Sequence, residues 1–224
     1  MTIARRGSTN YSAQLLNTAN SFTITKEPSV QVGDLVFIAV SSWPGYGNNT
    51  IADFTELYEL AYSGGTANIF YRVINGTEES NFTISIDGNT QRYAGAVLVA
   101  FSGSSLSIED NNYTDNGSGT SPSAPSVTAA GTNTLLTNFY LYTDPATFTA
   151  PSGSDGSFAN SPQQTNSAAV SWDAISASGA TGTRTATLGV ARGCVGVSLL
   201  LKETAAASTS LPIRARNYSH LLVR

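Results

Sequence analysis

Apolar residues in this chain come in short runs closed by turn residues, and no long stretch shows a helical period with caps. That pattern restricts the chain to β-structure. It predicts strands over 21–25, 34–41, 55–62, 68–74, 81–86 and 93–101, then over 135–142, 168–175, 183–187 and 193–202. Turn pairs stand between them, among them Pro44-Gly45, Gly64-Gly65, Asn75-Gly76, Asp87-Gly88 and Asn116-Gly117. Composition agrees: only 12% of residues are charged, and Ser, Thr, Asn and Gly, which satisfy turn backbones, fill the gap. The expected fold is all-β, an antiparallel, jelly-roll-like β-sandwich.

The two sets of strands resemble each other. Pro28-Ser29-Val30 lies over Pro125-Ser126-Val127, and ANIFYRVINGTEESNFTISI from Ala67 lies over AAVSWDAISASGATGTRTAT from Ala168. Ile69 then matches Val170, Tyr71 matches Trp172, Ile74 matches Ile175, and Arg92 matches Arg192. Two copies are too few for a solenoid, so the halves either share one sandwich or stand as two fused ones. A single two-sheet body is expected, because the join is short and polar. The organisation reads as an N-terminal arm with a first strand (1–20), a first half (21–103), a polar linker (104–123), a second half (124–203) and a basic, apolar tether (204–224). The second half lacks a counterpart of the aromatic-rich stretch at 54–62 and carries a Gly, Ser, Asn and Gln-rich segment at 151–167 instead.

Charge is unevenly placed. Segments 1–20 and 204–224 hold Arg5, Arg6, Arg214, Arg216 and Arg224 and no acid, while 21–203 holds the other six basic residues and all fifteen acids. Such arms suit docking on an acidic partner. The tether follows a small-residue run (TAAASTS) and alternates basic with apolar residues: Arg214, Arg216, Tyr218, Leu221, Leu222 and Arg224 are its docking candidates. A net charge of −4 argues against general nucleic-acid binding. One Cys and one His disfavour a disulfide framework, a histidine metal site or a Ser-His-Asp triad. No apolar run reaches membrane-spanning length and the N-terminus lacks a signal-peptide pattern, so no membrane partner is expected.

Individual residues suggest little chemistry. Glu56 and Glu59 are three apart, which on a regular strand sets them on opposite faces, and Glu78-Glu79 sits in a turn; neither suits the facing carboxylates of a glycosidase. The run EDNNYTDNG (109–117) offers oxygen ligands but breaks the calcium-loop spacing and reads as linker. Arg92 and Arg192 are expected to shield a sheet edge or to pair with an acid such as Asp34. Cys194 reads as core and His220 as an exposed contact residue. Trp43 and Tyr46 flank a Pro-Gly loop, where aromatics can stack on sugar rings, while Tyr58 and Tyr62 serve equally as core. No catalytic residue, metal or cofactor is expected.

The segments SFTITKEPSVQVGDLVFIAV, FTELYEL, IFYRVINGTEESNFTISI and RYAGAVLVAFSG, continued by PSVTAAGTNTLL and SGATGTRTATLGVARGCVGVSLLLK, resemble a β-sandwich module of bacteriophage minor tail and other virion-surface proteins. The resemblance implies a non-enzymatic structural protein of the virion exterior, a head decoration or tail accessory component. Its partners would be other virion proteins, and a homo-oligomer is a further expectation. The alternative is a carbohydrate-binding module that touches host glycan through Trp43 and Tyr46.

Overall fold

A computed structural model describes residues 3–16, 20–43, 49–76, 80–86, 92–103, 105–143, 145–160 and 166–204, and every regular element among them is a strand. The first half comprises β1 (Ala4–Leu16), β2 (Ser21–Thr25), β3 (Leu35–Trp43), β4 (Thr50–Ile51), β5 (Thr55–Tyr62), β6 (Gly65–Val73), β7 (Asn81–Ser85) and β8 (Arg92–Ser102). The second comprises β9 (Leu106–Gly119), β10 (Ser123–Ala124), β11 (Thr128–Ala129), β12 (Thr134–Tyr142), β13 (Phe148–Thr149) and β14 (Gly156–Asn160). It ends with β15 (Ser167–Ile175), β16 (Gly179–Ala180), β17 (Arg184–Thr185), β18 (Thr187–Leu188) and β19 (Arg192–Glu203).

Each half is a sandwich of one large and one small layer. In the first, a five-stranded antiparallel sheet ordered β1-β8-β3-β6-β5 is covered by β2-β7-β4. This is the strand order of a jelly roll, with β5 added to the outer edge of the large sheet. The second half repeats it as β9-β19-β12-β15-β14, and its small layer is broken into the pairs β10-β17, β11-β16 and β13-β18. The ladders repeat too. Leu35 pairs with Val73 and Phe101 as Leu135 pairs with Ala174 and Leu201.

The two large sheets then pack on each other, giving four layers rather than the expected two. Leu35, Phe37, Ala39, Ile69, Val97 and Val99 of one sheet meet Leu135, Phe139, Leu141, Val170, Val197 and Leu199 of the other in a single core. Val36, Ile38, Val40, Phe70 and Leu98 face the opposite way, against Phe22, Ile24, Ile51, Phe82 and Ile84. A central strand is therefore buried on both faces, which is why LVFIAV is continuously apolar rather than alternating.

Three expectations need correction. The stretch 104–123 is no linker: most of it is β9, an edge strand on β19 and the counterpart of β1. The stretch at 151–167 contains β14, the counterpart of β5. The segment 1–20 does contain a strand, as expected, but that strand, β1, pairs along β8 over residues 4–16 and so belongs to the body rather than to an arm. Arg6 grips Asp34 with two hydrogen bonds of 3.0 and 3.2 Å, and the Arg5 guanidinium lies 5.1 Å from the ring centre of Trp172 in the other half.

The halves interlock at one end. A Cβ on Gly193 of β19 would stand 1.9 Å from the carbonyl oxygen of Ser63 in the β5–β6 turn, so only glycine lets that turn seat on the second half. Close by, Ser41 Oγ lies 2.6 Å from the Tyr62 hydroxyl and reaches the Tyr142 carbonyl at 3.4 Å.

Candidate functional site

Strand β5 differs from its counterpart β14 in length and regularity, and its irregularity determines what it presents. Glu56 stands opposite Phe70, Tyr58 opposite Ile69 and Glu59 opposite Asn68, so Leu57 is the extra residue of a β-bulge. The bulge resets the alternation. Glu56 and Glu59 face partners two residues apart on β6 and therefore share a face of the sheet, contrary to the expectation from their spacing.

Behind Glu56 runs a chain of buried amides. Asn49 Nδ2 donates to Ser42 Oγ at 3.1 Å and to Asn68 Oδ1 at 2.6 Å, and Asn68 Nδ2 donates to Glu56 Oε1 at 2.6 Å. Asn68 is wholly buried and Asn49 nearly so, while Glu56 and Glu59 are exposed. The network orients Glu56 as a fixed hydrogen-bond acceptor at the surface, and the side-chain oxygen Oδ1 of Asn49 is buried without a partner among the described residues.

Beside the β5 bulge, Tyr58 meets Tyr113 of β9 edge-to-face at 5.3 Å, and its hydroxyl donates to Asn111. Burial, with Tyr113 and Asp110 nearby, raises the Tyr58 pKa above its usual value. An open depression of about 630 Å³ lies near the start of β5, lined by Asp53, Thr55, Tyr71, Arg72, Val73 and Asn75. There Arg72, its side chain largely buried, donates to exposed Asp53 at 3.3 Å.

Trp43, at the end of β3, is 42% exposed and packs against Tyr93, its ladder partner on β8, with ring centres 5.8 Å apart and planes tilted by 49°. Tyr46 and the docking candidates Arg214, Arg216, Tyr218, Leu221, Leu222 and Arg224 lie outside the described residues, as do His220 and Glu78-Glu79. The Arg92 side chain does too. Arg192 does not reach Asp34, whose partner is Arg6; it donates to the carbonyls of Ala191 and Pro145. Cys194 is core, and burial together with the Asp115 charge drives its thiol pKa far up. Among the described residues no three His, Cys, Asp or Glu side chains converge to hold a metal ion.

Other carboxylates are structural partners. Asp173 accepts from Arg184 at 2.7 Å, Asp155 from the Ala174 amide at 2.6 Å, Asp110 from the Thr128 amide at 2.7 Å, and Glu109 from Lys202 at 3.0 Å. Comparison of the two halves exposes a feature that strand spacing alone does not. Ile38, with Phe70 and Leu98 as neighbours on its rung, is replaced in the second half by Asn138 between Ser171 and Ser198. Ser198 donates to Asn138 at 2.9 Å and Asn138 to Ser171 at 3.5 Å, and this polar rung separates the outer core of the second half into two clusters.

The chain was compared with known protein families, curated proteins and solved structures, and none of them matches it.

Proposed function

We propose that the protein is a non-enzymatic structural component of a bacteriophage virion exterior, a head decoration or tail accessory protein. The virion is what the sequence resemblance implies, and the mode of docking rests on the contrast between an acidic, duplicated β body and the basic, acid-free segment 204–224. Arg5 and Arg6 are spent within the body, so docking falls to Arg214, Arg216, Tyr218, Leu221, Leu222 and Arg224. Long-range attraction guides such a tail to an acidic neighbour, and its apolar residues supply contact area, at roughly 1.5–3 kcal/mol for each large side chain buried. The conversion of Asp34, Asp110, Asp155 and Asp173 into fold contacts suits a cladding protein better than a catalyst.

The test is made in the phage that encodes the chain. Deleting residues 205–224 should leave a folded body that is missing from purified particles, and antibody against the intact chain should label the particle surface. Full occupancy by the truncated protein, or turnover of a polysaccharide that Glu56→Gln abolishes, would overturn the proposal.

A second reading, a carbohydrate-binding module that touches host glycan, is favoured by one arrangement. Trp43 offers a half-exposed aromatic ring packed against Tyr93, the kind of group on which a sugar ring can stack.

A further inference from the structure

We propose that the open depression at the start of β5 binds an acidic sugar residue of the hexuronate class, holding it by its carboxylate. The site is separate from Trp43. Val73, on its wall, stands opposite Leu35 at one end of β3, and Trp43 closes the other end.

The second half explains the depression. Leu135 pairs with Ala174 as Leu35 pairs with Val73, and Gly156 pairs with Trp172 as Thr55 pairs with Tyr71. Asp155, just before β14, donates its amide to the Trp172 carbonyl at 2.9 Å and accepts the Ala174 amide on its carboxylate at 2.6 Å. The residue in its place before β5 is Phe54. The Phe54 ring turns into the outer core against Phe82, with centres 5.0 Å apart, and its amide donates to Ile51 instead. The carboxylate that caps β15 therefore has no counterpart on β6.

What β6 presents there is an open backbone donor. Ile74 donates its amide to Asp34 on the β3 side at 2.9 Å, so Val73, the residue before it, points its amide and carbonyl away from β3. β5 begins only at Thr55, opposite Tyr71, and does not extend alongside Val73. Among the described residues nothing hydrogen-bonds to the Val73 amide. Arg72 lines the same depression and donates to Asp53 at 3.3 Å, a contact worth little because the Asp53 side chain is 76% exposed.

A ligand carboxylate placed here accepts from the Val73 amide as Asp155 does from Ala174, and draws Arg72 from Asp53 into a charge-assisted bond. The cavity, about 630 Å³, is larger than a carboxylate needs and of a size that takes small ligands. The rest of its lining suits a sugar ring. Thr55 and Asn75 offer a hydroxyl and an amide to ring hydroxyls, and Tyr71 and Val73 offer apolar surface to ring C–H groups.

Amide NMR of the isotope-labelled full chain, titrated with methyl glucuronide, methyl glucoside and acetate, tests this. Methyl glucuronide should shift the Val73 amide and the Arg72 side chain saturably, and the neutral glycoside and acetate should each bind at least about tenfold more weakly. Asp53→Asn removes the carboxylate that competes for Arg72 and keeps a residue type that tolerates the positive φ of 63° at this position. It should tighten glucuronide binding at least about threefold, whereas Thr55→Glu should weaken it at least about tenfold by like-charge repulsion. Resonances away from the depression should stay in place in both variants, which checks their fold. Absence of shifts at Val73 and Arg72 at tens of millimolar glucuronide, equal binding of acetate or the neutral glycoside, or weaker binding to Asp53→Asn would each overturn the proposal. Replacing Trp43 and Tyr46 by alanine should leave glucuronide binding unchanged, so this site and the glycan reading at Trp43 stand or fall separately.

Discussion

Truncating Phe37 to alanine tests whether the two halves form one cooperative unit. Phe37 is fully buried at the middle of β3, with Tyr71 at 6.2 Å, Phe101 at 6.4 Å and, across the interface in the second half, Phe139 at 6.0 Å. Phe→Ala substitutions in cores cost about 3–5 kcal/mol. Three ring partners place this one toward the upper end, since aromatic pairs add roughly 0.5–1.5 kcal/mol beyond area burial. A loss of about 4 kcal/mol at ~3 °C per kcal/mol lowers the Tm by roughly 12 °C, a large part of a typical stability of about 5–15 kcal/mol. Each half carries one tryptophan, Trp43 in the first and Trp172 in the second. Variants with Trp43→Phe or Trp172→Phe therefore report the unfolding of one half at a time by fluorescence. Both probes should give coincident transitions, displaced equally by Phe37→Ala. A first-half signal that shifts while the second-half signal stays in place would refute the shared core, as would a loss below about 1 kcal/mol.

Gly193→Ala should destabilise by about 1–3 kcal/mol or more, read from denaturant midpoints, because the added methyl meets the Ser63 carbonyl rather than a side chain that can rotate away. Cys194 should resist alkylation in the native protein and react on unfolding, since burial pushes its thiol far above the reactive range. Tyr140, whose hydroxyl donates to the Arg184 carbonyl at 2.9 Å, is raised in the same way by burial. The folded state keeps both protons where the unfolded chain releases them, so stability should hold to about pH 8 and fall as pH rises past the unfolded pKa values, by up to about 1.4 kcal/mol per pH unit for each group. Denaturant titrations at neutral and alkaline pH read this, and Tyr140→Phe should flatten the slope. Replacing both Trp43 and Tyr46 by alanine should reduce phage adsorption to cells without altering assembly if the glycan reading holds, with a lower melting temperature from the lost Trp43–Tyr93 contact; lost assembly would place that loop in a protein contact.

β3 and β12 are legible in the sequence because strands buried on both faces are continuously apolar, and burial on both faces is itself the product of four layers. β9 and β14 are not legible. Each lies at the margin of its sheet, and neither LSIEDNNYTDNGSG nor GSFAN carries an apolar alternation, so both read as connection. The bulge at Leu57 is equally silent, since one extra residue leaves no compositional trace yet brings Glu56 and Glu59 to one face. The duplication supplies what composition withholds. Where both halves keep the same residue type on the same rung, as at Leu35 and Leu135, packing accounts for it. Where they part, packing does not require the change: apolar Ile38 becomes Asn138, and the bulged β5 becomes the short β14. A recognition surface is therefore to be sought at such divergent places. Of these, the β5 edge combines exposure with an oriented carboxylate, whereas the Asn138 rung is wholly buried and bears on stability alone.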